Sequence, residues 1–363
     1  MKIRTRLLTH QRKAHAFSLV EIMVSLAVLT ILLLISAQVI GQIQSSWSAS
    51  NARVSQFKEA RTAFDILSRN LGQATLNTYI DYDYNYLSAA GGASAAAAAP
   101  NKYERNSDLH FRCGLTSDLI PAAGGSTITP GHAVFFQAPL GISNDPTLVG
   151  LDRLLCARGY FVQFSSDSAW VPDFIPSNDF KYRYRLMEYS PPAERNSIYA
   201  AAHANDGTIA STWFANAGAT ATGSGAGVVP ITRPVADNIV ALILSPRRET
   251  ANDSEAEEAA STRIAPGYKY DSSSVGETQH LLPPLVRVVL IAIDEKSAER
   301  LEQLSGNNSN PPLGGLVNSK LVTPELLNKE VDAIVQELQL QKLNYRVFSA
   351  TVALRGAKWS TSS

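Results

Sequence analysis

The sequence is poor in the groups that usually mark catalysis or a covalent scaffold. Two cysteines in 363 residues are too few for a disulfide framework, and they lack the C-x-x-C spacing of a zinc or redox site. The histidines His10, His15, His110, His132, His203 and His280 show no metal-ligand spacing. There is no G-x-S-x-G elbow and no phosphate loop, and the run GSGAG at 223–227 lacks the spacing of a dinucleotide fingerprint. Acidic pairs such as Glu257-Glu258 lie in a polar tract, NDSEAEEAA, that reads as a solvated insertion. Neither an enzyme, a cofactor nor a bound metal is indicated. A charge excess is missing too: 32 basic against 32 acidic side chains give no reason to expect general nucleic-acid binding.

That zero is an average over two unlike parts. Lys2, Arg4, Arg6, Arg12 and Lys13 make residues 1–16 strongly basic with no acid, and the other 347 residues carry 27 basic against 32 acidic groups. Directly after this leader comes FSLVEIMVSLAVLTILLLISAQVI at 17–40, with Glu21 as its only ionisable residue. As a helix it rises about 36 Å, enough to cross a hydrocarbon core of roughly 30 Å. A membrane span is predicted, with the basic end retained in the cytoplasm and the bulk of the chain outside. An ordinary secretory signal would be cut after its apolar core, near Ser36 and Ala37, behind an unusually long hydrophobic region. A plain anchor gives no reason for Glu21.

The string Ala16-Phe17-Ser18-Leu19-Val20-Glu21 resembles the cleavage and methylation motif of type IV prepilins and type II secretion pseudopilins. Ala16 stands where that family most often has Gly. The resemblance implies that a prepilin peptidase cuts between Ala16 and Phe17, that Phe17 is then N-methylated, and that Glu21 guides assembly with other pilin or pseudopilin subunits in the inner membrane. A carboxylate in hydrocarbon costs several kcal/mol, of order 3, unless it is paired or snorkels. Glu21 either pairs with the new amine of its own or a neighbouring chain, or is solvated at the cytoplasmic interface.

Beyond the span, Val54, Phe57, Ala60, Phe64, Leu67, Leu71 and Ala74 recur at steps of three and four. One helix is therefore expected from about Ser18 to about Leu76, as a membrane helix over 17–40 and an amphipathic continuation over 41–80. The head, 81–363, is expected to be α+β: a long N-terminal helix packed on an antiparallel sheet. YIDYDYNY at 79–86 imitates the start of a calcium loop, but Tyr86 and Gly92 stand where the turn glycine and bidentate glutamate belong. An Ala/Gly tract at 88–100 reads as a loop. Residues 180–186 alternate Phe180, Tyr182, Tyr184 and Leu186 with Lys181, Arg183 and Arg185, predicting a strand with one covered and one wet face. NIVALIL at 238–244 and LVRVVLIAI at 285–293 read as central strands, YRVFSATVAL at 345–354 as another. Thr323-Pro324 supplies a cap and first-turn proline for a helix over 324–340 whose buried face is Leu327, Val331, Ile334 and Leu338.

The order of these segments, with RYRLMEY at 183–189 and NYRVFSATVALRGAKWS at 344–360, is similar to larger minor pseudopilins of the J type and to the Verru_Chthon cassette protein C family. This implies a non-enzymatic minor subunit of a pilus or secretion pseudopilus. The other reading is a monomeric, membrane-anchored binding or adhesion protein. Cys113 and Cys156, both outside the cytoplasm in this topology, either bridge a loop of about 44 residues, worth roughly 4 kcal/mol, or stay as two buried thiols.

Overall fold

The computed structural model describes residues 18–363 apart from 84–101, 121–128, 142, 144, 149–153, 169, 173, 177–178, 197–212, 219–230, 249–263, 306–311 and 359–363. Ala16, Phe17, the tract at 88–100, GSGAG and the acidic insertion therefore lie outside the described residues. The chain divides into two compact units, Met1–Val54 and Ser55–Ser363.

Helix α1 is Leu19–Leu71. Within the first unit its apolar side chains, from Leu19 to Ile43, are exposed all round. Within the second unit the predicted stripe is core: Ala60, Phe64, Leu67 and Leu71 are buried. Val54, at the end of the first unit, is exposed. The helix stops at Leu71 and not near Leu76, because Gly72 follows and Thr75 donates its N–H to Gln137 O at 2.9 Å, starting an extended bridge. Residues 79–83 are likewise not helical. They form β1 (Tyr79–Asp83), antiparallel to β2 (Lys102–Asn106).

The rest of the head is an antiparallel α+β fold with two further sheets. The larger runs β7 (Thr232–Asp237), β6 (Tyr182–Tyr189), β5 (Cys156–Ser166), β4 (His132–Ala138), β3 (Arg112–Leu115), β9 (Tyr270–Asp271). The smaller runs β11 (Tyr345–Ala353), β10 (Leu285–Ile293), β8 (Ile239–Arg247). Val134, Phe136, Tyr160, Val162, Tyr184 and Leu186 from one face of the large sheet join the core that holds α1 and the small sheet. Phe135, Phe161 and Met187 from its other face pack with Trp213 and Phe214 in a second core. Phe135 stacks on Phe214 with centroids 4.1 Å apart.

Two features differ from expectation. The expected wet face of residues 180–186 is dry at Arg183 and Arg185, while Lys181 is exposed. Arg183 and Arg185 are each 3% exposed, because acids reach them from later in the chain: beyond the short α2 (Thr116–Leu119), α3 (Glu295–Ser305) brings two to Arg183 and β7 brings one to Arg185. Arg183 Nη2 donates to Glu295 Oε1 at 3.0 Å and its Nη1 binds Glu302. Arg185 Nε donates to Asp237 Oδ1 at 2.9 Å. Charges this deep persist only when so paired. Second, of the two apolar strands only β10 is central; β8 is an edge. It is buried because the start of β4 closes it off: His132 Nδ1 accepts the N–H of Leu244 at 2.9 Å. Gly131 sits at φ +79°, where a Cβ would overlap the carbonyl oxygen of Leu242.

After α4 (Gly314–Lys320), the last helix is preceded by a 3-10 turn at Pro324–Leu326 and then runs as α5 (Leu327–Leu340). Leu327, Ile334 and Leu338 are buried, with Val331 half-buried, as expected. Thr323 makes no side-chain cap. Glu330 replaces it, its Oε1 accepting the N–H groups of Val322 at 3.0 Å and Thr323 at 2.7 Å.

Candidate functional site

Helix α1 begins where Ser18 can cap it. The N–H of Glu21 donates to Ser18 Oγ at 3.2 Å and to Ser18 O at 3.0 Å. Ser-x-x-Glu is the spacing of a capping box, and an acid in the first turn also meets the positive end of the helix dipole. Glu21 therefore has a local reason to stand where it does, besides any pairing with another chain. The sequence reading missed Ser18, although its spacing to Glu21 was the signal.

Along the helix three hydroxyls bond back to its own carbonyls. Ser25 Oγ donates to Ile22 O at 2.9 Å, Thr30 Oγ1 to Leu26 O, and Ser45 Oγ to Gln42 O at 2.9 Å. Polar groups bonded back onto their own helix can enter hydrocarbon without an outside partner. Leu19–Ser48 is long and apolar enough to cross a membrane, about 45 Å at 1.5 Å per residue. Trp47 is exposed near its end, a residue type favoured at membrane interfaces.

The chain thus combines a basic leader, a small residue before an aromatic, a capped helix start with Glu21 in its first turn and an exposed apolar helix. Residues 11–37 match a family model described as a prokaryotic N-terminal methylation motif. That match supports a type IV pilin-like precursor. The motif implies processing by a prepilin peptidase and assembly with other pilins, and it suggests a structural protein in place of an enzyme. The single apolar helix fits a single-pass membrane anchor. No curated protein and no solved structure matches the chain.

In the head, the end of α1 is held by a polar network that sequence reading did not find. Asn70 Nδ2 donates to Tyr160 OH at 2.8 Å, and Tyr160 OH donates to Glu188 Oε1 at 2.5 Å. Burial first, then the Glu188 charge, pushes the Tyr160 hydroxyl far above its ordinary range, so it remains a donor. These residues lie 28 and 90 positions apart in sequence, which no local pattern reveals.

The possible disulfide is not made. Cys113 pairs with Val134 and Cys156 with Ala138, so the two strands flank β4. Two strand spacings, roughly 9.6 Å, and four residues along β4, roughly 13 Å, put the Cα atoms far beyond bridging reach. Both thiols are buried, and burial pushes that of Cys113 up, away from a reactive thiolate.

The three described histidines, His110, His132 and His280, pack within the fold. His132 is held neutral by burial, its ring lowered to about 3, and lies 4.7 Å from the Tyr268 ring. His110, lowered to about 4 by burial and then by the neighbouring His280, faces His280 at 6.1 Å. His280 Nδ1 accepts the N–H of Ser107 at 3.1 Å. Among the described residues no group of three or more His, Cys, Asp or Glu could hold a metal ion. Asp81 and Asp83 lie on strand β1 and not in a loop.

Proposed function

We propose that the chain is a minor pilin or pseudopilin of the kind resembled by the Verru_Chthon cassette protein C family. It is cleaved after Ala16, methylated at Phe17, inserted with its basic end in the cytoplasm, and assembled through α1 into a type IV pilus or type II secretion-like pseudopilus. The match at residues 11–37 carries this reading. A head of more than 300 residues is bulky for a subunit repeated along a fibre, which favours a minor or tip position.

Mass spectrometry of the mature N-terminus, from cells containing a prepilin peptidase, is the test. A methylated Phe17 is expected. An intact Met1, or a start near Gln38, would mean a tether or a secretory signal. Glu21→Ala is expected to insert in the membrane yet to enter fibres poorly. Fibre incorporation equal to the parent chain would remove Glu21 from assembly.

A further inference from the structure

The head has four outer strand edges in its two larger sheets, and three are closed. Strand β9 has only two residues. Strand β7 contains Pro234 and a break in register, and β8 abuts Gly131 and His132. Short edges, prolines and covering segments are the usual protections against unwanted pairing. Strand β11 pairs with β10 over all nine residues without a register shift and contains neither Pro nor Lys; among the described residues its outer edge is met only at its end, where Gly72 lies beside Ala353.

Which groups face outward follows from its ends. Leu354 N–H donates to Pro284 O, toward β10, and Asn344 O accepts from Asp294 N. The next N–H, that of Arg355, points the other way, to Gly72 O at 3.4 Å. By alternation the N–H and C=O groups of Val347, Ser349 and Thr351 face away from β10, and among the described residues they have no hydrogen-bond partner. Ser349 and Thr351 are exposed.

Beside the end of this edge lies a groove of about 550 Å³ between the last turn of α1 and β11, lined by Arg69, Gly72, Gln73, Ala353 and Arg355 among others. Arg69 and Arg355 are exposed and, among the described residues, in no ion pair. At the other end of the strand, away from the groove, Arg346 lies over the Phe57 and Phe348 rings. No acid lines the groove.

We propose that β11 is a docking edge for an extended, acidic segment of a partner polypeptide, which adds to the small sheet as a further strand and places a carboxylate between Arg69 and Arg355. Main-chain bonds to Val347, Ser349 and Thr351 supply the pairing, and the two guanidinium groups select charge. The inference concerns the head alone and stands whether or not the chain is a pilin.

The test titrates the full chain, in detergent, into a fluorescent eight-residue peptide of alternating Val and Glu. Binding is expected, and at least tenfold weaker binding of the same peptide with Lys for Glu. The double variant Arg69→Glu, Arg355→Glu is expected to reverse that preference. Ser349→Pro removes only an outward N–H and is expected to weaken binding at least tenfold; a Val/Glu peptide N-methylated on alternate amides makes the same test without altering the fold. Equal affinity for the acidic and basic peptides, no binding of the acidic one, or unchanged binding after N-methylation overturns the proposal. So does a dimer in sedimentation that Ser349→Pro dissociates, which would assign the edge to a second copy.

Discussion

Tyr160 joins three parts of the head through one hydroxyl, taking a bond from α1 and giving one to β6. Tyr160→Phe keeps the ring, removes the acceptor of the Asn70 amide and leaves Glu188 with Arg158 at 3.9 Å, so a loss of about 1–3 kcal/mol is expected in denaturant unfolding of the full chain. The buried histidines make a pH prediction. An unfolded histidine binds its proton near 6.5, whereas His110 and His132 in the fold do so at about 4 and about 3. The unfolded state thus holds more protons between those values. Their contribution is complete above pH 6.5 and declines by about 1.4 kcal/mol per pH unit per histidine on acidification. His132→Asn, whose amide oxygen can still accept the N–H of Leu244, is expected to flatten that slope in urea titrations from pH 7 to pH 4. An unchanged slope would mean that His132 protonates without cost. None of this was legible beforehand, because a histidine's burial is decided by residues such as Leu244, 112 positions away.

At the scale of elements, α5 is nucleated by a carboxylate from its own first turn, and not by the cap its sequence advertises. Glu330 also accepts the Tyr268 hydroxyl at 2.6 Å. Glu330→Ala is therefore expected to cost roughly 2–3 kcal/mol, and Thr323→Ala less than about 0.5 kcal/mol, by thermal unfolding of the two variants side by side. Equal effects would restore the threonine cap. The strands were legible where burial comes from the strand's own composition: β10 is apolar but for Arg287 and β8 over Ile239–Leu244, and both are largely buried. Strand β6 was placed correctly but given the wrong environment. Its alternation looked half-wet because Arg183 and Arg185 are charged, and their partners Glu295 and Asp237 arrive from distant segments. The second core was invisible for a related reason, since Leu109, Trp213 and Phe214 lie in stretches with no periodicity. The candidate processing motif was legible because it is local, a few adjacent residues read in order.

For the whole molecule, the division at Ser55 separates a helical stretch that includes the exposed apolar span Leu19–Ser48 from a head with its own buried core. Residues 55–71 of α1 belong to the head's own core through Ala60, Phe64, Leu67 and Leu71. A chain beginning at Ser55 is expected to be soluble and folded without detergent, with a cooperative melt. One beginning at Gly72 is expected to aggregate, because it exposes the apolar surface that those side chains cover. Size-exclusion chromatography and circular dichroism of the two would check this, and a folded, monodisperse Gly72 chain would show the helix to be dispensable. The embedded helix has a mechanical consequence as well. Tension applied to α1 cannot peel the head away one contact at a time, because the helix is gripped along four turns and locked at its far end by Asn70 and by the Arg355 bond to Gly72. The grip must fail by shear, many contacts at once.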